Sequence, residues 1–230
     1  MGRLALLLLL AACAPLAAQP LLPYPGGFAE GGLVGGRFQV VLPGVPLFLD
    51  ADEKALYATY PYELLRYDGL ILESLPLPGV PTFLRARPGL AVGLGQAVYT
   101  ERGLLPYPAR DAALTEEGLF WVGEKGLHMG SALLEEGDFR QVVAWAGQVV
   151  ALGREAYFHP QGPRVALPAP VEAAAATACG VAFLAGGRLF LLRETGIKLW
   201  AEGTRMAALG ERVYLTPGPR VLDCREVVWP

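Results

Sequence analysis

The sequence predicts an all-β chain folded as a β-propeller of compact blades, and three observations carry that expectation. Paired apolar segments return at a nearly constant interval, Gly and Pro punctuate the space within each pair, and the segment ahead of most pairs is rich in Ala. The pairs begin at Leu56-Tyr57-Ala58, Leu90-Ala91-Val92, Leu119-Phe120-Trp121, Val149-Val150-Ala151, Val181-Ala182-Phe183 and Val213-Tyr214-Leu215, at intervals of 34, 29, 30, 32 and 32 residues. A fixed period of this kind marks a repeat architecture, in which one unit cannot bury its apolar face alone.

The second member of each pair starts eight residues after the first, at Leu64, Val98, Leu127, Tyr157, Leu189 and Val221. Between the two lie Tyr60-Pro61, Gly93 with Gly95, Gly123 with Gly126, Gly153, Gly186-Gly187 and Pro217-Gly218-Pro219. This is hairpin chemistry, with Gly supplying positive φ. Upstream of the hairpins sit Leu47-Phe48-Leu49, Thr82-Phe83-Leu84, Ala112-Ala113-Leu114, Val142-Val143-Ala144, Ala174-Ala175-Ala176 and Met206-Ala207-Ala208. Small residues are what crowding requires if the first strand of every unit converges on a common axis. Downstream sit Ile71-Leu72, Leu104-Leu105, Ala132-Leu133, Val165-Ala166-Leu167, Ile197-Lys198-Leu199 and Val227-Val228-Trp229. Four short strands per period describe a propeller blade.

Six blades are clear from the pattern, and a seventh is the alternative count. Phe38-Gln39-Val40-Val41 has the position of an outer strand, which would complete the last blade beside Val227 to Trp229; alternatively Leu21 to Leu42 is a degenerate seventh blade. A β-sandwich is the competing architecture, because regularly spaced strands suit both folds. Against the propeller stand the alanines of Val171 to Ala178, which in isolation favour a helix.

The first residues carry an address. Arg3 gives a positive head, Leu4 to Leu10 an unbroken apolar run, and Ala11-Ala12 a small-residue stretch before Cys13, the three-part plan of a secretory signal. A spanning helix needs about 20 apolar residues, so this run is too short for one. Leu10-Ala11-Ala12-Cys13 resembles the lipobox of bacterial lipoproteins. That resemblance implies an acylated Cys13 as the new N-terminus, anchored to a membrane at the cell envelope. In that family an Asp after the cysteine favours the inner membrane; Ala14 points to the outer one where the cell has it. The alternative is a plain cleaved signal, with a cut elsewhere in Ala11 to Gln19. The expected organisation is a signal peptide over 1–12, a Pro/Gly-rich lipid-anchored tether over 13–36, and one repeat domain over 37–230.

The 230 residues carry a formal charge of −3, with 19 Lys and Arg against 22 Asp and Glu. Only Lys54, Lys125 and Lys198 are lysines and no basic run occurs, which argues against a phosphate-tracking nucleic-acid surface. Asparagine is absent and arginine outnumbers lysine, a composition with a thermophile tendency. Past Cys13 the only cysteines are Cys179 and Cys224, candidates for a disulfide outside the cytoplasm or for two buried thiols.

Catalytic chemistry is thinly represented. Ser74 and Ser131 are the only serines and neither sits in a Gly-x-Ser-x-Gly elbow. His128 and His159 fall in neighbouring hairpins without a clustered third ligand, so no metal site is assigned. Asp50, Asp52 and Glu53 lack the remaining donors and the Gly of a calcium loop. The Trp-Asp dipeptide, the Ser-x-Asp-x-Gly box of sialidases and the asparagine ligands of lactonase propellers are all missing.

No catalytic residue and no cofactor are assigned. The combination of lipobox and repeats is similar to envelope lipoproteins whose propellers scaffold other proteins, which implies a non-catalytic binding module with a protein partner. Trp121, Trp145, Tyr157 and Trp200 are its candidate binding-face aromatics, with inter-blade packing the alternative for each. The competing function is a hydrolase or lyase acting on a small or saccharide substrate at the axial channel.

Overall fold

The computed structural model describes residues 19–229. They form seven small antiparallel sheets in a ring. Blade I is β1 (Leu21–Tyr24), β2 (Gly27–Glu30), β3 (Leu33–Gly36) and β4 (Val40–Val41). Blade II is β5 (Phe48–Ala51), β6 (Leu56–Tyr60), β7 (Glu63–Tyr67) and β8 (Leu72–Pro76); blade III is β9 (Phe83–Arg85), β10 (Ala91–Gly93), β11 (Val98–Thr100) and β12 (Gly103–Leu105). Blade IV is β13 (Asp111–Leu114), β14 (Leu119–Val122), β15 (Gly126–Met129) and β16 (Ala132–Glu136); blade V is β17 (Phe139–Trp145), β18 (Gln148–Gly153), β19 (Glu155–His159) and β20 (Arg164–Ala166). Blade VI is β21 (Ala173–Thr177), β22 (Gly180–Ala185), β23 (Arg188–Arg193) and β24 (Gly196–Glu202); blade VII is β25 (Arg205–Leu209), β26 (Arg212–Thr216) and β27 (Arg220–Asp223). The propeller is thus the architecture, and the sandwich is not.

The core lies between blades. Along β21, Ala174 and Ala176 face the cluster shared with blade V, while Ala173 and Ala175 face the one shared with blade VII. A strand presents alternate residues to opposite faces, and near the axis the flanking sheets come closest, so only a methyl group fits. Pairing with β22 from Ala173↔Leu184 to Thr177↔Gly180 outweighs the helix preference of those alanines.

Two expectations are corrected at the ring's ends. Of the span 13–36 expected as a tether, residues 21–36 are three strands of blade I; the signal peptide and Cys13 lie outside the described residues. The glycines that suggested a linker serve close backbone approach. A Cβ on Gly27 would sit 2.1 Å from the Gly35 carbonyl oxygen, and Gly36 holds φ 114°, a conformation suited to Gly alone. Val40–Val41 pairs with β3 inside blade I, not with the last blade.

The second correction concerns Val227 to Trp229, which form no strand. After β27 the chain turns through a short 3₁₀ segment (Cys224–Glu226), capped by the Asp223 carboxylate accepting from the Arg225 backbone N–H at 2.9 Å. Cys224 is bonded to Cys179 in the β21–β22 turn, with Cα atoms 5.9 Å apart. That link draws the chain end toward blade VI, where the Arg193 guanidinium lies 4.5 Å from the Trp229 ring centroid. Blade VII therefore has three strands, and the ring closes on blade I by packing, with the Phe28 ring edge-on to Tyr214 at 5.8 Å.

Candidate functional site

The innermost strands surround an axial cavity of about 520 Å³, with Pro23, Leu49, Ala113, Val143, Ala175 and Ala207 among its lining residues. One side of its wall is ionic. Arg85, the last residue of β9, donates from Nε and Nη2 to the two carboxylate oxygens of Asp111 at 2.9 and 2.7 Å. A bidentate pair of this kind is both strong and directional. Arg85 also donates to the Gln141 side-chain oxygen at 2.5 Å and, from Nη1, to the Ala174 carbonyl at 2.9 Å. Asp111, only 1 % exposed in its side chain, accepts a further bond from the Val142 backbone N–H at 2.9 Å. One guanidinium thus ties blade III to blades IV, V and VI across the axis.

Asp50, Arg87 and the exposed Glu53 are the other charged residues of the wall. The Asp50 carboxylate accepts from the backbone N–H of Ala51 at 2.9 Å and of Ala86 at 2.8 Å, joining blade II to blade III. Burial pushes its carboxyl above the usual carboxylate range, against the opposing pull of the Arg87 charge and these two N–H groups. Arg87 donates through Nη2 to the Ala208 carbonyl of blade VII, and its buried Nε has no protein partner among the described residues. The opposite side of the wall is Ala173 to Ala176 and Met206 to Ala208.

The acidic turn noted in the sequence divides between two tasks. Asp52 closes its own turn, accepting from Lys54 and Ala55 N–H at 2.6 and 2.7 Å, whereas Asp50 faces the axis. Arg85, Arg87, Asp111 and Gln141 were not singled out by motif. Their signal was a charged or amide side chain in or beside an inner segment that elsewhere holds Ala or Val.

The four candidate aromatics are not gathered into one surface. Trp121 is buried in β14, sandwiched between His128 at 4.1 Å and Tyr107 at 5.4 Å, and its indole N–H donates to the Gly130 carbonyl at 2.7 Å. Trp145 ends β17 and donates to the Thr177 carbonyl of blade VI at 3.0 Å. Tyr157, in β19, donates to the Pro160 carbonyl at 3.0 Å beneath the Arg164 guanidinium. Trp200, in β24, packs on the cluster that contains Cys224. Each fills space within or between blades, and His128 is held flat on Trp121. His159 packs against Phe120 at 5.8 Å.

No family model matches the chain, and no curated protein matches it in sequence. Among solved structures it is similar to BBS1N, crystallised in complex with ARL6DN, at 16% identity and a TM-score of 0.55, over 74% of this chain and 73% of that one. It is similar to Hsv2 of Kluyvelomyces marxianus at 8% identity and a TM-score of 0.54, over 82% and 81%. PorZ of Porphyromonas gingivalis, a surface component of the type-IX secretion system, matches at 13% identity and a TM-score of 0.50, over 75% of this chain but 32% of that one. The chain therefore spans about a third of the length of PorZ. At these identities the likeness is one of fold.

Proposed function

We propose that this protein is an exported, lipid-anchored propeller acting as a non-catalytic binding or scaffolding module at the cell envelope. The observation that carries the reading is the state of the channel. Arg85 on its wall and the buried Asp111 beside it are bound to each other and to neighbouring blades, so they act as ties of a rigid platform. The Cys179–Cys224 bond suits an oxidising compartment, as does the signal-like start of the sequence. The known structures of this fold are compatible with the role: PorZ is a bacterial surface component, and BBS1N was crystallised in a complex.

The test is a cross-linked pull-down from membranes of the native host, comparing the wild type with Cys13→Ala. The wild type is expected in the membrane fraction with a reproducible protein partner, and the variant in the soluble fraction. A variant that sediments with the membrane as the wild type does removes the lipid from the reading, and a wild type recovered alone removes the scaffold. The competing reading, a hydrolase or lyase acting on a small or saccharide substrate, rests on Asp50 and Arg87 sharing the axial cavity. It requires turnover that Asp50→Asn abolishes while the fold persists.

A further inference from the structure

One face of the ring carries two copies of the same pentapeptide. Leu42-Pro43-Gly44-Val45-Pro46 joins blade I to II, and Leu77-Pro78-Gly79-Val80-Pro81 joins II to III. The copies take one pose, with Leu and the second Pro buried and Val outward, 44 % and 46 % exposed. The Leu42 and Leu77 N–H groups donate to the Gly32 and Tyr62 carbonyls, both at 2.8 Å, which pins each connector to a neighbouring turn. Between them the β6–β7 turn raises Tyr62, 62 % exposed, with φ 63°.

Residues 42–49, 60–62, 75–84 and 94–97 of this rim over blades I to III include no charged side chain, and its charges are the carboxylates of Glu30 and Glu63 at its margin. Around the rest of the same face the turns and connectors carry Arg110, Glu124, Lys125, Asp138, Arg154 and Glu172, all exposed. The chain also enters here. Leu21 pairs with Glu30 at this end of blade I, and the Gln19 side chain lies against Gly31. Cys13 stands six residues ahead of Gln19, a reach of roughly 20 Å even when fully extended.

We propose that the largely apolar rim of blades I to III rests on the lipid bilayer that anchors Cys13, with Tyr62 at headgroup depth. This rests on the lipid-anchor reading above. A lipidated Cys13 brings this side of the ring to the membrane surface, and the rim offers that surface apolar side chains, with Glu30 and Glu63 left at the hydrated margin. Tyrosine suits the boundary, having an apolar body and a polar tip. A second acting contact strengthens anchoring by few acyl chains.

The experiment uses the full lipidated protein with vesicles of phosphatidylglycerol and phosphatidylcholine brominated on its acyl chains. Tyr62→Trp is compared with Leu70→Trp, whose position is 91 % exposed at the opposite end of blade II, and with the wild type as background. The protein is expected to float with the vesicles, and the tryptophan added at 62 to lose about half of its emission while that at 70 loses none. Flotation with equal quenching at both positions overturns the orientation and leaves the anchor standing. Failure of the lipidated protein to float overturns the anchor, and the orientation falls with it.

Discussion

Blades III and VI solve the same packing problem by different means. Blade III consists of four three-residue strands, whereas the strands of blade VI run to five, six, six and seven residues. The long blade buries Val181, Phe183, Leu189 and Leu192 completely, between two clusters, and carries a disulfide to its neighbour. The short blade has less apolar surface to offer, and stabilisation scales with that area. It compensates with Arg85 and Arg87, which reach blades IV, V, VI and VII by hydrogen bonds. A ring can thus include a small blade if that blade is tied to distant ones across the axis.

The most damaging way to break this comparison is Arg85→Met. It keeps much of the side-chain volume but leaves the Asp111 carboxylate buried without its counter-charge, a change that costs about 3–5 kcal/mol. Urea unfolding should show the loss, and adding Asp111→Leu should recover part of it, since the buried charge is then gone and only neutral groups, the Val142 N–H, the Gln141 side-chain oxygen and the Ala174 carbonyl, lose their partners. If Arg85→Met unfolds as the wild type does, blade III is held by something other than the clasp.

Next in size is the covalent tie. The bond closes a loop with a sequence separation of 45 residues, and removing such a constraint with Cys179→Ala and Cys224→Ala together costs roughly 2–4 kcal/mol. Thermal unfolding of the oxidised and doubly substituted proteins measures it. Because the bond also directs the chain after β27, hydrogen exchange should rise over residues 224–229 and stay slow in β22 and β23. Uniformly faster exchange would mean that the link supports the whole ring.

The division between what the sequence disclosed and what it hid follows from the range of the interactions. The hairpins were legible because their period, Gly and Pro turns and apolar pairs are local, and all six fall where the spacing places them. Blade I was legible only as the alternative of a degenerate seventh blade over Leu21 to Leu42, which the seven sheets bear out, because its turns and close strands use Gly26, Gly27, Gly35 and Gly36, which in composition look the same as a linker. The absent last strand was unreadable because Val227-Val228-Trp229 has the right residue types; a bond formed across two blades takes the chain elsewhere. Likewise Arg85 meets partners 26, 56 and 89 residues away, and no motif of fixed spacing reports such a contact.

On the long-stranded side, the alanine wall should tolerate little growth. Ala174 is 2 % exposed and faces Val143, Val181 and Phe183 in the cluster between blades V and VI. Ala174→Leu forces this space apart at a cost of about 1–3 kcal/mol. Val45→Leu, a smaller enlargement on the exposed rim, should leave the melting temperature unchanged. Equal tolerance at both positions would show that the inner strands are not crowded.

The smallest expected effect, the pH response of Asp50, sharpens the ionic side of the comparison. Burial raises its carboxyl pKa in the folded chain above the unfolded value, which is about 3.9. The folded state therefore holds this proton more tightly than the unfolded state does. The resulting stabilisation is fully present below the unfolded value and is lost as pH rises through the folded one. Asp50→Asn removes the titration, so the stability of the wild type minus that of the variant should fall as pH increases from about 4. Urea midpoints for both proteins between acid and neutral pH give that difference. A difference that grows with pH would mean that the Arg87 charge outweighs burial, and that Asp50 and Arg87 form a tie as favourable as that of Arg85 and Asp111.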